Sequence, residues 1–165
     1  MRKTKQWMQL AAIMMIFVTT AINAKAQGPW RLGVGVNLGS TLNSPARMTL
    51  GADARFQKSI ENGVSGIITT GYYQFFKAND YNKGFGIIPL KAGLKYFPVK
   101  NVYVAGELGV GFGTNNTQSV SFVYSPSFGL AFGDGFDASL KFEDYTIAGD
   151  NLPILALRIA YGFKL

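Results

Sequence analysis

Cysteine and histidine are both absent from the 165 residues. Without cysteine there is no disulfide, no thiolate metal site, no thiol nucleophile and no lipoprotein anchor. Without histidine the commonest general base and the commonest transition-metal ligand are missing. Charge is scarce too, at 15% of the chain, which is unlike a disordered protein. Nor does any stretch of 27–165 reach the ~20 apolar residues of a membrane-spanning helix. What is abundant is glycine (20 residues), phenylalanine (13) and tyrosine (8), a composition that favours strands over helices. The length suits a single domain.

Residues 1–26 read as a secretory signal peptide. Arg2, Lys3 and Lys5 form a basic start, and an apolar run extends from Leu10 to Val18. Ala24 and Ala26 then supply the small residues of a cleavage site, which predicts cleavage after Ala26 and a mature N-terminus at Gln27. The apolar run is far shorter than a membrane anchor requires. Cleavage also removes four bases (Arg2, Lys3, Lys5 and Lys25) and no acid, leaving twelve bases against nine acids, a net charge of +3. No basic cluster elsewhere suggests a nucleic-acid partner.

From Trp30 onward, apolar and small or polar residues alternate with period two. Strands are predicted at 30–39, 48–57, 64–76, 88–97, 102–113, 120–133, 136–145 and 154–165. In the first, Trp30, Leu32, Val34, Val36 and Leu38 oppose Arg31, Gly33, Gly35, Asn37 and Gly39. In the last, Leu155, Leu157, Ile159, Tyr161 and Phe163 oppose Ala156, Arg158, Ala160, Gly162 and Lys164. The third strand leaves its phase open, because Tyr72 and Tyr73, and Phe75 and Phe76, are adjacent pairs. The connections alternate between tight turns (57–63, 97–101, 133–135) and polar loops (40–47, 77–86, 114–119, 146–152).

Eight such strands suit an antiparallel up-and-down barrel, but alternation alone does not say which face is wet. The small face is mostly Gly, Ala and Ser with sparse charges, unlike a solvent-exposed sheet. Glycine is useful where a narrow lumen must fit side chains from opposite walls. Trp30, Phe56, Tyr96, Phe132, Phe136 and Phe163 fall at the tight-turn end. Phe112, Phe122, Tyr124, Phe142 and the 72–76 cluster fall at the loop end. Two aromatic belts favour a transmembrane barrel. A soluble lipocalin-like ligand-binding barrel, or a β-sandwich, is the competing reading.

The segments 87–97 and 102–111, Ile-Ile-Pro-Leu-Lys-Ala-Gly-Leu-Lys-Tyr-Phe and Val-Tyr-Val-Ala-Gly-Glu-Leu-Gly-Val-Gly, resemble the central hairpin of the small OmpA/OmpX-like outer-membrane barrels. The pattern extends over the whole mature chain. The resemblance implies an integral protein of a Gram-negative outer membrane, inserted by the barrel-assembly machinery and surrounded by lipid and lipopolysaccharide. The last strand resembles the usual assembly signal at Tyr161 and Phe163, but ends in Leu165 where the family usually ends in an aromatic residue.

The runs Gly33-x-Gly35-x-x-x-Gly39 and Gly109-x-Gly111-x-Gly113 look like phosphate loops, yet no helical period follows them, and lumen glycines explain them better. Outer-membrane barrel enzymes rely on an active-site histidine, which this chain lacks, and a serine without a base is a poor nucleophile. Glu107 and Glu143 could form a glycosidase-like pair, but both sit on the inward face among bases.

That face carries Arg31, Asp53, Arg55, Lys91, Glu107, Lys141, Glu143 and Arg158, with Lys95, Asp137 and Lys164 in the same phase. The expectation is a structural network of ion pairs, since unpaired buried charge is costly. If Tyr96 pairs with Val102, Lys91 faces Glu107 directly. The predicted protein is a monomeric, non-catalytic barrel without cofactor or metal, with an envelope or adhesive role through its outer loops. A small channel or ligand-binding barrel is the alternative.

Overall fold

The structure, a computed structural model, describes residues 30–77, 84–114, 119–133, 135–147 and 149–165. The signal segment and the Ala26–Gln27 cleavage site lie outside these residues. Eight strands follow one another: β1 (Trp30–Thr41), β2 (Met48–Glu61), β3 (Val64–Phe75), β4 (Phe85–Val99), β5 (Val102–Thr114), β6 (Val120–Ala131), β7 (Phe136–Ile147) and β8 (Asp150–Lys164). Each pairs antiparallel with its neighbour in sequence, and β8 closes on β1, so no sheet edge is left open.

The alternation resolves the same way on every strand. Val36, Leu50, Ile68, Leu90, Leu108, Phe128, Leu140 and Leu157, one from each strand, are all exposed on the outside. Exposed aromatics gather at the two ends of this sheath. Trp30, Phe56, Tyr96, Phe132, Phe136 and Phe163 ring the turn end, and Tyr72, Phe76, Phe112, Phe122 and Tyr124 ring the loop end. The interior is the polar side: Asp53, Arg55, Lys91, Glu107, Lys141, Glu143 and Arg158 are all buried there.

β3 settles its own phase. Ser65, Ile67, Thr69, Tyr73 and Phe75 point inward, while Ile68, Thr70 and Tyr72 point outward. Tyr73 is thereby seated beside Gly51 on β2. A Cβ on Gly51 would lie 2.7 Å from the Tyr73 ring, and one on Gly129 would lie 2.5 Å from the Tyr103 ring. Tyr103 and Gly129 are likewise direct cross-strand partners. The expectation that lumen glycines make room for the opposite wall is thus corrected at these two positions. They let an aromatic on the adjacent strand lie flat across the sheet.

The β4–β5 register also differs from expectation. Tyr96 pairs with Val104, and the strands then shift so that Val99 pairs with Val102. The extra residue is a bulge at Phe97-Pro98, where Pro98 needs no ladder donor. The hairpin closes at 100–101 rather than 97–101. Lys91 therefore faces Gly109, and Glu107 faces Gly93, so the direct Lys91–Glu107 pairing is not formed.

The loop side is shorter than expected as well. β7 runs to Ile147 and β8 starts at Asp150, with Thr146 paired to Asn151, so only 148–149 remain between them. Gly149, at a φ of 97°, supplies the left-handed backbone of that tight turn. The expected loops at 77–86 and 114–119 lie partly outside the described residues.

Candidate functional site

Three layers of side chains occupy the lumen. Under the loops, Tyr73, Phe75, Ile87, Val123, Tyr145, Ile154 and Ala156 form a buried apolar cluster, with Phe85, Ile147 and Leu152 packed against it. Phe75 stacks on Phe85 at 4.6 Å and meets Tyr145 edge-on at 6.4 Å. Toward the turns, Ile67, Tyr103 and Ala105 make a smaller cluster with Phe97 and Ala131. The charged layer lies between them.

Its contacts run across the lumen more than along the sheet. Arg55 on β2 pairs with Glu107 on β5 through Nη2 at 2.9 Å, while its Nε donates to Thr69 at 3.1 Å. Lys91 on β4 pairs with Glu143 on β7, and Lys141 lies 3.4 Å from the same carboxylate. Lys141 also donates to the Tyr73 hydroxyl. Arg158 on β8 grips Asp53 on β2 with two nitrogens, Nη2 at 2.6 Å and Nε at 2.9 Å, and Asn37 donates to the same acid at 2.7 Å. Two forked contacts fix a guanidinium more rigidly than a point-charge ammonium could be fixed.

Seven of the eight charges expected in the network thus meet in this layer. Lys91 and Glu107 each find an acid or base on a strand across the lumen rather than each other. Arg31 is the exception: it stands at the turn-end mouth and makes no ion pair with a described residue.

Asp137 and Lys95, read from sequence only as sharing the inward phase, form a fourth node. Asp137 accepts from Lys95 at 2.6 Å, from the Tyr103 hydroxyl at 2.6 Å and from Arg158 Nη1 at 3.4 Å. Lys95 Nζ also lies 3.6 Å from the Tyr103 ring centre. The partner role of the tyrosines had no sequence signal beyond the inward phase of Tyr103. Asp144 was missed altogether: it follows the outward phase near the end of β7, yet is buried, with the Tyr124 hydroxyl donating to it at 3.2 Å.

Chemically, this layer is a clamp. All four lumen carboxylates, Asp53, Glu107, Asp137 and Glu143, are engaged by bases on other strands. Breaking one partner out of such a buried pair costs about 3–5 kcal/mol, because the other charge stays buried and unpaired. Among the described residues no group of three or more acidic side chains could hold a metal ion.

No family model matches the sequence, and no curated protein matches it. Solved structures do match the fold, which is that of small eight-stranded outer-membrane barrels. Ail, the attachment invasion locus protein of Yersinia pestis, superposes with a TM-score of 0.62 at 15% identity, over 82% of this chain and 99% of Ail. Ail is also known in complex with the heparin analogue sucrose octasulfate. The N-terminal β-barrel domain of Pseudomonas aeruginosa OprF gives a TM-score of 0.63 at 10% identity, over 83% of this chain and all of that domain. The outer-membrane enzyme PagL gives 0.59 at 18% identity, over 78% of this chain and 98% of PagL. The fold is therefore shared by an attachment protein and an outer-membrane enzyme.

Proposed function

We propose that this protein is an integral outer-membrane barrel of a Gram-negative bacterium, a non-catalytic anchor that serves envelope structure or surface attachment through its loop end. The carrying observation is the inside-out distribution of side chains: apolar residues exposed on all eight strands around an ion-paired lumen. In water a continuous apolar sheath of this kind would drive aggregation, whereas lipid solvates it. The likeness to Ail supports the attachment reading. The absence of histidine and the engagement of every lumen carboxylate support the non-catalytic one.

On this reading residues 1–26 direct export and are removed before Gln27. The barrel-assembly machinery inserts the monomer, and lipid and lipopolysaccharide surround it. The β2–β3, β4–β5 and β6–β7 connections face the periplasm, as do Trp30 and Leu165, and the β1–β2, β3–β4, β5–β6 and β7–β8 connections face outward. An amine reagent that does not cross the membrane tests this arrangement on intact cells. Expected is modification of lysines in 76–84 and none at Lys100 until the envelope is permeabilised. Modification of Lys100 on intact cells contradicts the orientation. Replacing 42–47 and 76–84 by tight turns should leave insertion intact and abolish cell attachment, and attachment that survives the replacement leaves the envelope role alone.

A further inference from the structure

At the turn end the lumen is not filled. A cavity of about 50 Å³ is lined by Arg31, Arg55, Lys95, Arg158 and Asp137, and it lies beside a vestibule of about 430 Å³ lined by Arg31, Gln57, Lys100 and Glu61. Arg31 and Gln57 line both. Five bases thus face two acids on these walls among the described residues. The one acid of the inner cavity, Asp137, already accepts from Lys95, Tyr103 and Arg158.

Two further features leave positive charge unanswered here. Arg31 and Lys164, both in the inward phase, are direct cross-strand partners, an arrangement of like charges that destabilises a sheet. Arg55 is buried and uses Nη2 for Glu107 and Nε for Thr69, but its Nη1 has no hydrogen-bond partner.

We propose that this cavity binds a small oxyanion, a carboxylate or phosphate group, between the Arg31 guanidinium and Arg55 Nη1. An oxyanion there offsets the charge that Arg31 shares with its neighbour Lys164 and satisfies the remaining donor of Arg55. The planar fork of arginine suits either group. The inner cavity admits only the anionic head, and the vestibule has room for whatever bears it. On the orientation proposed above, the mouth opens to the periplasm; the binding chemistry does not depend on that orientation.

The test uses the barrel purified in an uncharged detergent. Inorganic phosphate and, separately, acetate are titrated at constant ionic strength against chloride, with the Nε–H resonances of arginine read by NMR. Expected is a saturable shift confined to Arg31 and Arg55, with affinity weakened about tenfold or more by R31Q and less by K100Q, the scale of one lost charge-assisted hydrogen bond. K58Q, at a rim base stacked outside on Trp30, should leave it unchanged. Saturation by phosphate alone or acetate alone identifies the preferred head group. No saturation with either, equal affinity in R31Q, or the same response to chloride overturns the proposal.

Discussion

Gly129 and Gly106 occupy neighbouring strands of the same barrel and have opposite environments. A Cβ on Gly129 meets the Tyr103 ring at 2.5 Å, whereas one on Gly106 meets nothing within 4 Å. Replacing Gly129 with Val must displace a ring whose hydroxyl holds Asp137 at 2.6 Å. The expected cost is about 1–3 kcal/mol in urea unfolding of the refolded barrel. Gly106→Val, on the exposed face, should be neutral or slightly stabilising. Equal effects of the two changes would mean that Tyr103 is not packed against Gly129. The inward phase of both glycines' strands is legible in the sequence, as is the sign of every lumen charge. What each glycine accommodates is not, because that depends on the register of the neighbouring strand.

The hairpin β4–β5 shows where reading by element stops. Its two faces are plain, since Leu90, Leu94, Leu108 and Val110 alternate with Lys91, Lys95, Glu107 and Gly109. The bulge at Phe97-Pro98 has no signature in period two, and together with the tighter closure of the hairpin at 100–101 it places Gly109, two residues beyond Glu107, opposite Lys91. β3 was ambiguous for a different reason: consecutive aromatics give no contrast between faces, and only the adjacent Gly51 provides a seat for Tyr73. Partners across the lumen, such as Lys91 with Glu143, are set by barrel closure and stagger, which no single hairpin encodes. A double-mutant cycle reads this placement directly. Arg55→Met with Glu107→Leu should show strong coupling, with Glu107→Leu alone costing about 3–5 kcal/mol and the double change less. Lys91→Met with Glu107→Leu should show weaker coupling. The reverse order would restore the Lys91–Glu107 pair and require the β4–β5 register to be redrawn.

For the whole molecule, the apolar cluster under the loops and the cross-lumen ion pairs occupy the lumen among the described residues. An eight-stranded lumen is wide enough for side chains to fill or to hold one small ligand, and far narrower than a porin's channel. The purified protein in planar bilayers should therefore show no stable conductance steps. Reproducible steps abolished by denaturing this protein, and unaffected by removing other porins, would establish a channel instead. The fold class, the strand count and the dry-outside, charged-inside assignment were all legible from alternation and composition. The plug was not, because Tyr73 and Phe75 belong to the strand whose phase is ambiguous.

The chain's lack of cysteine makes the central claim directly measurable. Single cysteines placed at outward Leu38, Leu94 and Leu157 and at inward Ala156, in the apolar cluster under the loops, can carry a nitroxide label in a reconstituted lipid bilayer. Collision with lipid-soluble oxygen, compared with a water-soluble relaxation agent, then reports what surrounds each site. Labels at the three leucine positions should be accessible to oxygen and shielded from the aqueous agent, and the label at Ala156 should be shielded from both. High aqueous accessibility at Leu38, Leu94 and Leu157 in the folded protein would contradict a lipid-facing exterior.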